Sequence, residues 1–403
     1  MIRHIVFITP VTFNDSQRRW FGLEYLKKNN LKVEVWDVTS FIQNKASAAA
    51  FAKNGNLDHD MLTKLYSYKE LAIRLEGLSQ ESLAVCFFGY QPMYYRILRL
   101  LTRYKVRYAY IMNYPFPTAS LASRMQKGGL KYLCSWAKRL PEILKHHLFL
   151  KCPPSLMKIA APKYILAGGE KSLLHPHVLD KGTEIIWLHC FDCEDLYSTD
   201  NKQSLDQNLG KYAVFIDQCL PFHPDTLTGS NRAAITAENY YPLLNQFFSL
   251  IEQTSGCKIV IAAHPRANHM NDQYFGGRTM VRGSTSRLVK NAEFVLMHCS
   301  AAMSYVVMFQ KPCLFLTTRH FKGSHTWHET ETMARSLGTE PVVIEDVSAH
   351  NLPIWQEALK IDRQKYKKYQ EDFLKSNKSE DLPFWEGFVN YLQKRSAQLG
   401  TVL

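Results

Sequence analysis

Residues 211–225 read KYAVFIDQCLPFHPD, and the rest of the chain is best approached from this stretch. Ala213 to Ile216 is an apolar, β-rich run suited to a buried strand. It stops at an acid and an amide, Asp217 and Gln218, and two prolines, a histidine and a second acid follow. A strand in a parallel sheet covered on both faces is apolar throughout, and ligands of such sheets bind beyond the carboxyl ends of the strands. Asp217 is therefore either an acid that caps a loop or part of an active site.

The pattern recurs downstream. The run KIVIAA (258–263) ends in His264-Pro265-Arg266, and FVLMH (294–298) ends in Cys299-Ser300-Ala301-Ala302, which opens a helix predicted over 300–309. Helices are expected at 238–254 and 284–291, and a further strand at 312–317. A parallel sheet places all its strand carboxyl ends on one side, so these polar groups converge. Ser300 stands where an N-cap belongs, and free N–H groups there suit a phosphate. Gly283-Ser284-Thr285-Ser286 opens another helix and offers a second anion site. Each group also has a plain structural role open to it: a cap for Ser300, a turn histidine for His264, a loop cap for Asp217.

The first half alternates in the same way. Strands are predicted at 2–9, 32–38, 83–88, 106–113, 164–167 and 184–188, with helices at 16–29, capped by Asp15 or Ser16, and 94–104. Residues 45–65 look loop-like around NGNLDHD, and the pattern MLTKLYSYKEL (61–71) that follows this motif looks helical. A polar linker runs over 195–208, and 355–399 is mostly helical and charged. Alternation of this kind predicts doubly wound parallel sheets. The expected organisation is α/β: a Rossmann-like domain over 1–205, a second over 206–345, a cleft between them, and a helical segment over 346–403.

Composition sets the outer limits. The 403 residues are 46% hydrophobic and 21% charged, as in a globular protein, and too many for one ordinary core. No apolar run approaches the roughly 18–20 residues that span a bilayer, and MIRHIVFITPVTF resembles a first strand rather than a signal peptide. Nine cysteines, several of them in predicted strands, argue for buried, reduced thiols and a cytoplasmic protein. The net charge of +13 calls for an anionic partner. Part of that excess lies between Arg124 and Lys158, where eight Lys/Arg and one acid, Glu142, interleave with leucines and aromatics. This segment is either a peripheral contact for the anionic inner membrane face or a solvated helix face. No RNP, KH or helix-turn-helix signature accompanies the charge, so a nucleic-acid partner is not expected.

Other motifs are weaker. Asp58-His59-Asp60 is formally a metal-binding DxD, but it precedes a helical pattern and reads as an N-cap cluster. Cys190 and Cys193 form one CxxC without a second pair. His320, His325 and His328 lack the spacing of a metal-binding helix pair, so no metal is expected. There is no GxxxxGK[ST] and no GxGxxG after the first strand. Gly168-Gly169-Glu170 follows a strand and suits either a simple turn or close backbone approach to a ligand.

FIDQ, FHPD, IAAHPR and HCSAAMSYVVMFQKPCLF together resemble bacterial surface-polysaccharide glycosyltransferases that use CMP-activated 2-keto acids, and above all the retaining β-Kdo transferases of capsule and O-antigen synthesis. The resemblance covers about Lys211 to Thr318, and its His-Pro element is shared with bacterial sialyltransferases. It implies a GT-B fold, an N-terminal domain on the acceptor side, CMP-Kdo as donor held by the C-terminal domain, a lipid-linked oligosaccharide acceptor, and no metal or other cofactor. Carried over, Asp217 is the nucleophile, Gln218 positions it or the sugar, and His264 contacts the CMP phosphate with Pro265, Arg266, Ser284, Thr285, Ser300 and Ala301 around it. Arg278, Asp225, Gly168 and Gly169 are reserve candidates. The same residues leave open an inverting, sialyltransferase-like enzyme in which Asp217 is a general base.

Overall fold

The structure is a computed structural model and describes residues 2–13, 15–42, 60–113, 116–118, 141, 144–174, 178–197, 209–222, 235–264, 272–348, 357 and 359–400. The chain divides into two compact units. The first comprises Met1–Pro115, Arg139–Glu194 and Glu371–Leu403; the second is built chiefly from Asp195–Gln370.

The first unit holds a seven-stranded parallel sheet. In chain order its elements are β1 (His4–Thr9), α1 (Asp15–Trp20), α2 (Leu23–Lys28), β2 (Lys32–Asp37), α3 (Thr39–Ile42), β3 (Leu62–Lys64), α4 (Tyr68–Glu76), β4 (Ser82–Cys86), α5 (Tyr95–Arg103), β5 (Arg107–Met112), α6 (144–151), β6 (Tyr164–Ala167) and β7 (Glu184–Trp187). The strand order β3-β2-β1-β4-β5-β6-β7 reverses between β1 and β4. Val6 and Ile8 of β1 join one apolar cluster while Ile5 and Phe7 join the other, so the sheet is covered on both faces. That double burial is why strands such as β4 and β6 are buried at every position.

The second unit repeats the plan with β8 (Tyr212–Ile216), α7 (Ala237–Ser255), β9 (Lys258–Ala263), β10 (Met280–Arg282), α8 (Thr285–Asn291), β11 (Val295–Met297), α9 (Met303–Met308), β12 (Cys313–Thr317), α10 (His325–Ser336), β13 (Val342–Val343) and α11 (Arg363–Tyr369). Its order β10-β9-β8-β11-β12-β13 reverses between β8 and β11. Helix α7 buries Tyr240, Tyr241, Leu244, Phe247, Phe248 and Ile251 in the cluster that contains Ala213 and Phe215 of β8. It stops at Gly256, whose φ of 66° places it in the left-handed region that ends helices.

Two Rossmann-like parallel sheets with a helical C-terminal segment are thus the observed fold, and several details correct the sequence expectations. The chain returns to the first unit after Gln370, so 346–403 is shared between units and is not a separate segment. In this return, residues Gln370–Leu374 form a π-turn and Phe384–Gly400 the helix α12. Within the stretch expected to be wholly helical, Leu62–Lys64 pairs with β2 as a strand. The helix begins only at Tyr68, where the Ser67 hydroxyl accepts the Glu70 N–H. The helix expected over 16–29 is broken at Phe21-Gly22. Gly22 has φ 54°, and a side chain there would overlap the indole of Trp385 from the returning segment. The strands β10 and β13 and helix α10 were not foreseen.

Candidate functional site

The polar strand ends of the second unit do share one edge. Ile216 of β8 is level with Ala262 of β9 and with Met297 of β11, so Asp217 lies between His264 on one side and His298-Cys299 on the other. Asp217 and Gln218 also stand beside the strand-order reversal, where doubly wound sheets bind their ligands.

Asp217 caps the loop that follows its strand with one carboxylate oxygen and leaves the other unbonded. Its Oδ1 accepts the Cys219 N–H at 2.8 Å, closing a turn in which Cys219 takes a left-handed φ of 51°. Its Oδ2 makes no hydrogen bond, although the residue is only 2% exposed. A half-satisfied buried carboxylate is costly in its charged form. Burial accordingly pushes its pKa up to about 6, with the N–H groups of Cys219, His264 and Gln218 pulling part of the way back. By strand alternation Asp217 continues the face of Ala213 and Phe215, which looks toward Tyr240 and Tyr241 of α7.

Gln218 spends its side chain on the backbone of the neighbouring strand end. Its Nε2 donates to the Cys299 carbonyl and its Oε1 accepts the Cys299 N–H at 2.9 Å. The side-chain amide thereby pairs like a peptide group across the reversal point, joining the ends of β8 and β11. Cys299 itself is a half-buried, neutral thiol, its pKa raised to about 11 by desolvation.

His298 carries a role that sequence reasoning missed. It is fully buried, its Nε2 lies 2.8 Å from the Tyr240 hydroxyl, and its Nδ1 lies 2.7 Å from the Leu316 carbonyl. The carbonyl requires the proton on Nδ1, so Nε2 accepts from Tyr240. Burial lowers the pKa of His298 to about 4, which keeps the ring neutral. The signal was available: a histidine at the end of an apolar strand, in the position equivalent to Asp217.

The anion-binding candidates divide. Ser300 is not the N-cap of α9; that residue is Ala302, whose N–H the Ser300 hydroxyl accepts at 3.3 Å, with Ala301 between them in the turn. Ser284 does stand at the N-cap of α8, with Thr285 as the first helical residue, but it makes no capping hydrogen bond. It lies off β10, three strands from Ser300, or about 14 Å at the usual strand spacing. His264 follows β9 and is half-buried. Pro265, Arg266 and Asp225 lie outside the described residues, as do Asp58 and His59.

Three reserve candidates have structural partners within the chain. Arg278 spends its guanidinium inside the unit. Nε and Nη2 reach Glu252 at 3.0 and 2.7 Å, Nη1 reaches Asn245 at 2.9 Å, and Nη2 also meets Ser249 at 3.0 Å. It braces α7 and is not poised for a phosphate. Gly169 does meet a close backbone, but it is the chain's own: a Cβ there would overlap the backbone of Asp372 and Phe373 in the π-turn. Gly168 donates to the Met112 carbonyl at 3.2 Å and accepts from the Ser376 N–H at 3.3 Å, which ties the same return segment.

Elsewhere, Cys190 and Cys193 approach to 3.4 Å between sulfurs, both buried. Among the described residues no cluster of three or more His, Cys, Asp or Glu could hold a metal, and no helix is long and apolar enough to cross a membrane. A cavity of about 880 Å³ lies beside β13, away from the Asp217 edge. Its cations Arg335 and Lys360 are already paired with Glu340 and Glu357.

No family model matches the chain, and no curated protein matches it by sequence. Among solved structures it is similar to a glycotransferase of kitacinnamycin, at 10% identity over 92% of this chain and 94% of that one, with a TM-score of 0.49. It is similar at 12% identity to a UDP-N-acetylglucosamine 2-epimerase, over 98% and 96% of the two chains, with a TM-score of 0.49. MurG of Acinetobacter baumannii aligns at 8% identity over 97% and 99%, with a TM-score of 0.45.

Proposed function

We propose that the chain is a glycosyltransferase that moves Kdo from CMP-Kdo to a surface-polysaccharide acceptor with retention of configuration. The observation that carries the proposal is Asp217. A buried carboxylate with one oxygen anchored and the other unbonded, beside the strand-order reversal, is poor for stability and suited to chemistry. The likeness of FIDQ, IAAHPR and HCSAAM to the Kdo transferases supplies the donor.

In this mechanism the Asp217 Oδ2 attacks the anomeric carbon as the bond to the CMP phosphate breaks, giving a glycosyl-Asp217 ester and free CMP. The acceptor hydroxyl then displaces the carboxylate at the same carbon and loses its proton to water. Two displacements give net retention. His264 and the N–H groups near Ser300 are the proposed partners of the leaving phosphate, whose charge they would stabilise. Gln218 holds the β8 and β11 ends at fixed spacing, and the neutral His298–Tyr240 pair supports the floor on which Asp217 stands. No metal or other cofactor enters any step. On the acceptor side, Asn113 at the end of β5 is 1% exposed, and neither its Oδ1 nor its Nδ2 has a hydrogen-bond partner. A carboxamide of that kind suits a sugar hydroxyl of the oligosaccharide.

The pKa of about 6 also suits Asp217 as a general base for inversion, with CMP-sialic acid or Kdo as donor. Intact-protein mass spectrometry after incubation with CMP-Kdo and no acceptor separates the two. A one-Kdo adduct on wild type that is absent from Asp217→Ala supports retention. CMP release to acceptor with no adduct supports inversion, and neither adduct nor CMP release from CMP-Kdo rejects Kdo as the donor.

A further inference from the structure

The net charge of the chain is not spread over it. Residues 82–169 hold fourteen lysines and arginines and a single acid, Glu142, so this stretch alone carries +13 and the remainder is neutral. Its described part includes α5, α6 and the turn after α6, all in the first unit.

Helix α6 is amphipathic in an unusual sense. Phe149 and Leu150 pack against the unit's core, with the Phe149 ring 4.7 Å from Tyr90 and 6.2 Å from Tyr95. The outward face also carries large apolar groups: Leu144 is 50% exposed, Leu148 67%, and Leu156 in the following turn 75%. Leu144 and Leu148 are four residues apart and so share one side of the helix. Lys145, His146, His147, Lys151 and Lys158 are exposed around them. Helix α5 extends the basic face: Arg96 and Arg99 are exposed, and Arg99 lies over the Tyr95 ring that touches Phe149. The Ala160 N–H donates to Thr102 at 2.9 Å, which fixes the chain after α6 against the end of α5.

We propose that this face of the first unit docks on an anionic phospholipid bilayer, its leucines entering the headgroup region and its cations resting on the lipid phosphates. A bilayer rewards both components, since apolar area is buried and each basic residue is attracted to the surface. Nucleic acid would reward the cations but not the leucines, and a second copy of the chain would press like charges together.

The test is flotation of the full chain with vesicles of pure phosphatidylcholine and of phosphatidylcholine containing one third phosphatidylglycerol. Binding is expected only to the anionic vesicles and should weaken in high salt. Leu144→Glu with Leu148→Glu should weaken it by at least about tenfold, and Lys145→Gln and Lys151→Gln by about fivefold each. All four positions are exposed, so thermal melts should not change. Failure to float with anionic vesicles, or equal binding by the leucine variants, overturns the proposal. So does concentration-dependent dimerisation that the leucine variants abolish, which would assign the face to a second copy. The readout needs no donor sugar, so it fails or succeeds independently of the proposed reaction.

Discussion

The two sheets have the same plan and opposite edges. In the first unit the reversal point between β1 and β4 is plugged. The Thr9 hydroxyl is bonded to Gln17, and Phe87 packs with Trp20, Phe21 and Phe191 at ring separations of 6.2, 5.1 and 6.2 Å. In the second unit the equivalent point carries Asp217, Gln218, His298 and Cys299. There a carboxylate and an imidazole have shifted pKa values, and one carboxylate oxygen is unbonded. A doubly wound topology therefore offers the same crevice twice, and the residues just beyond the strands decide whether packed rings or polar groups occupy it.

The sharpest way to break that contrast is to remove the carboxylate. Asp217→Ala should lower kcat by more than about a thousandfold while CMP binding persists, as expected for loss of a nucleophile or base. A variant with kcat within a few fold of wild type would make Asp217 only a turn former.

Gly169→Ala tests the opposite edge. Its Cβ would displace the π-turn, so a stability loss of about 3 kcal/mol is expected in chemical denaturation, with donor binding in the second unit preserved. Unchanged stability together with lost acceptor use would restore Gly169 as a ligand contact.

Asp217→Asn should make the protein more stable. The folded pKa is raised above the unfolded value, so the ionised carboxylate penalises the fold; the penalty is absent below about pH 4 and complete above about pH 6. A shift of about two units corresponds to about 3 kcal/mol, which urea titrations of both proteins at pH 7.5 and pH 4 would reveal as a gain at the higher pH only. His298 has the reverse sign. Its folded pKa is depressed to about 4, so its contribution is present above pH 6.5 and is lost as pH falls toward 4. The wild-type stability should thus be nearly flat from pH 4 to 6.5 as far as these two groups are concerned. Asp217→Asn should expose a slope that rises with pH.

Gln218→Ala leaves the Cys299 N–H and carbonyl unpaired and should cost about 1–3 kcal/mol. If Gln218 contacted only the sugar, KM would rise and stability would hold. Tyr240→Phe, the smallest change, removes one hydrogen bond to His298 and should cost about 1 kcal/mol with kcat reduced only modestly.

Much of this organisation was legible in the chain. Long strands such as β8 and β9 announce themselves because double burial forbids polar residues within them, and the polar groups that end them stand out for the same reason. The edge strands β3, β10 and β13 have three, three and two residues, too few to show a period. Arg278 looked free because Glu252, which occupies it, lies twenty-six residues earlier on α7. Gly169 looked like a ligand contact because the segment against it comes from two hundred residues later.

The sequence by itself determined the alternation of strands and helices, the presence of two sheets, and the edge on which Asp217, His264 and Ser300 gather. These follow from local periodicity and from the single direction of parallel strands. Only the tertiary structure decided that Gln218 bonds Cys299, that His298 is a buried neutral ring under Tyr240, and that the C-terminal segment closes the first unit. Those outcomes depend on which distant groups meet at a buried site, where each polar atom must find a partner or bear the cost of lacking one.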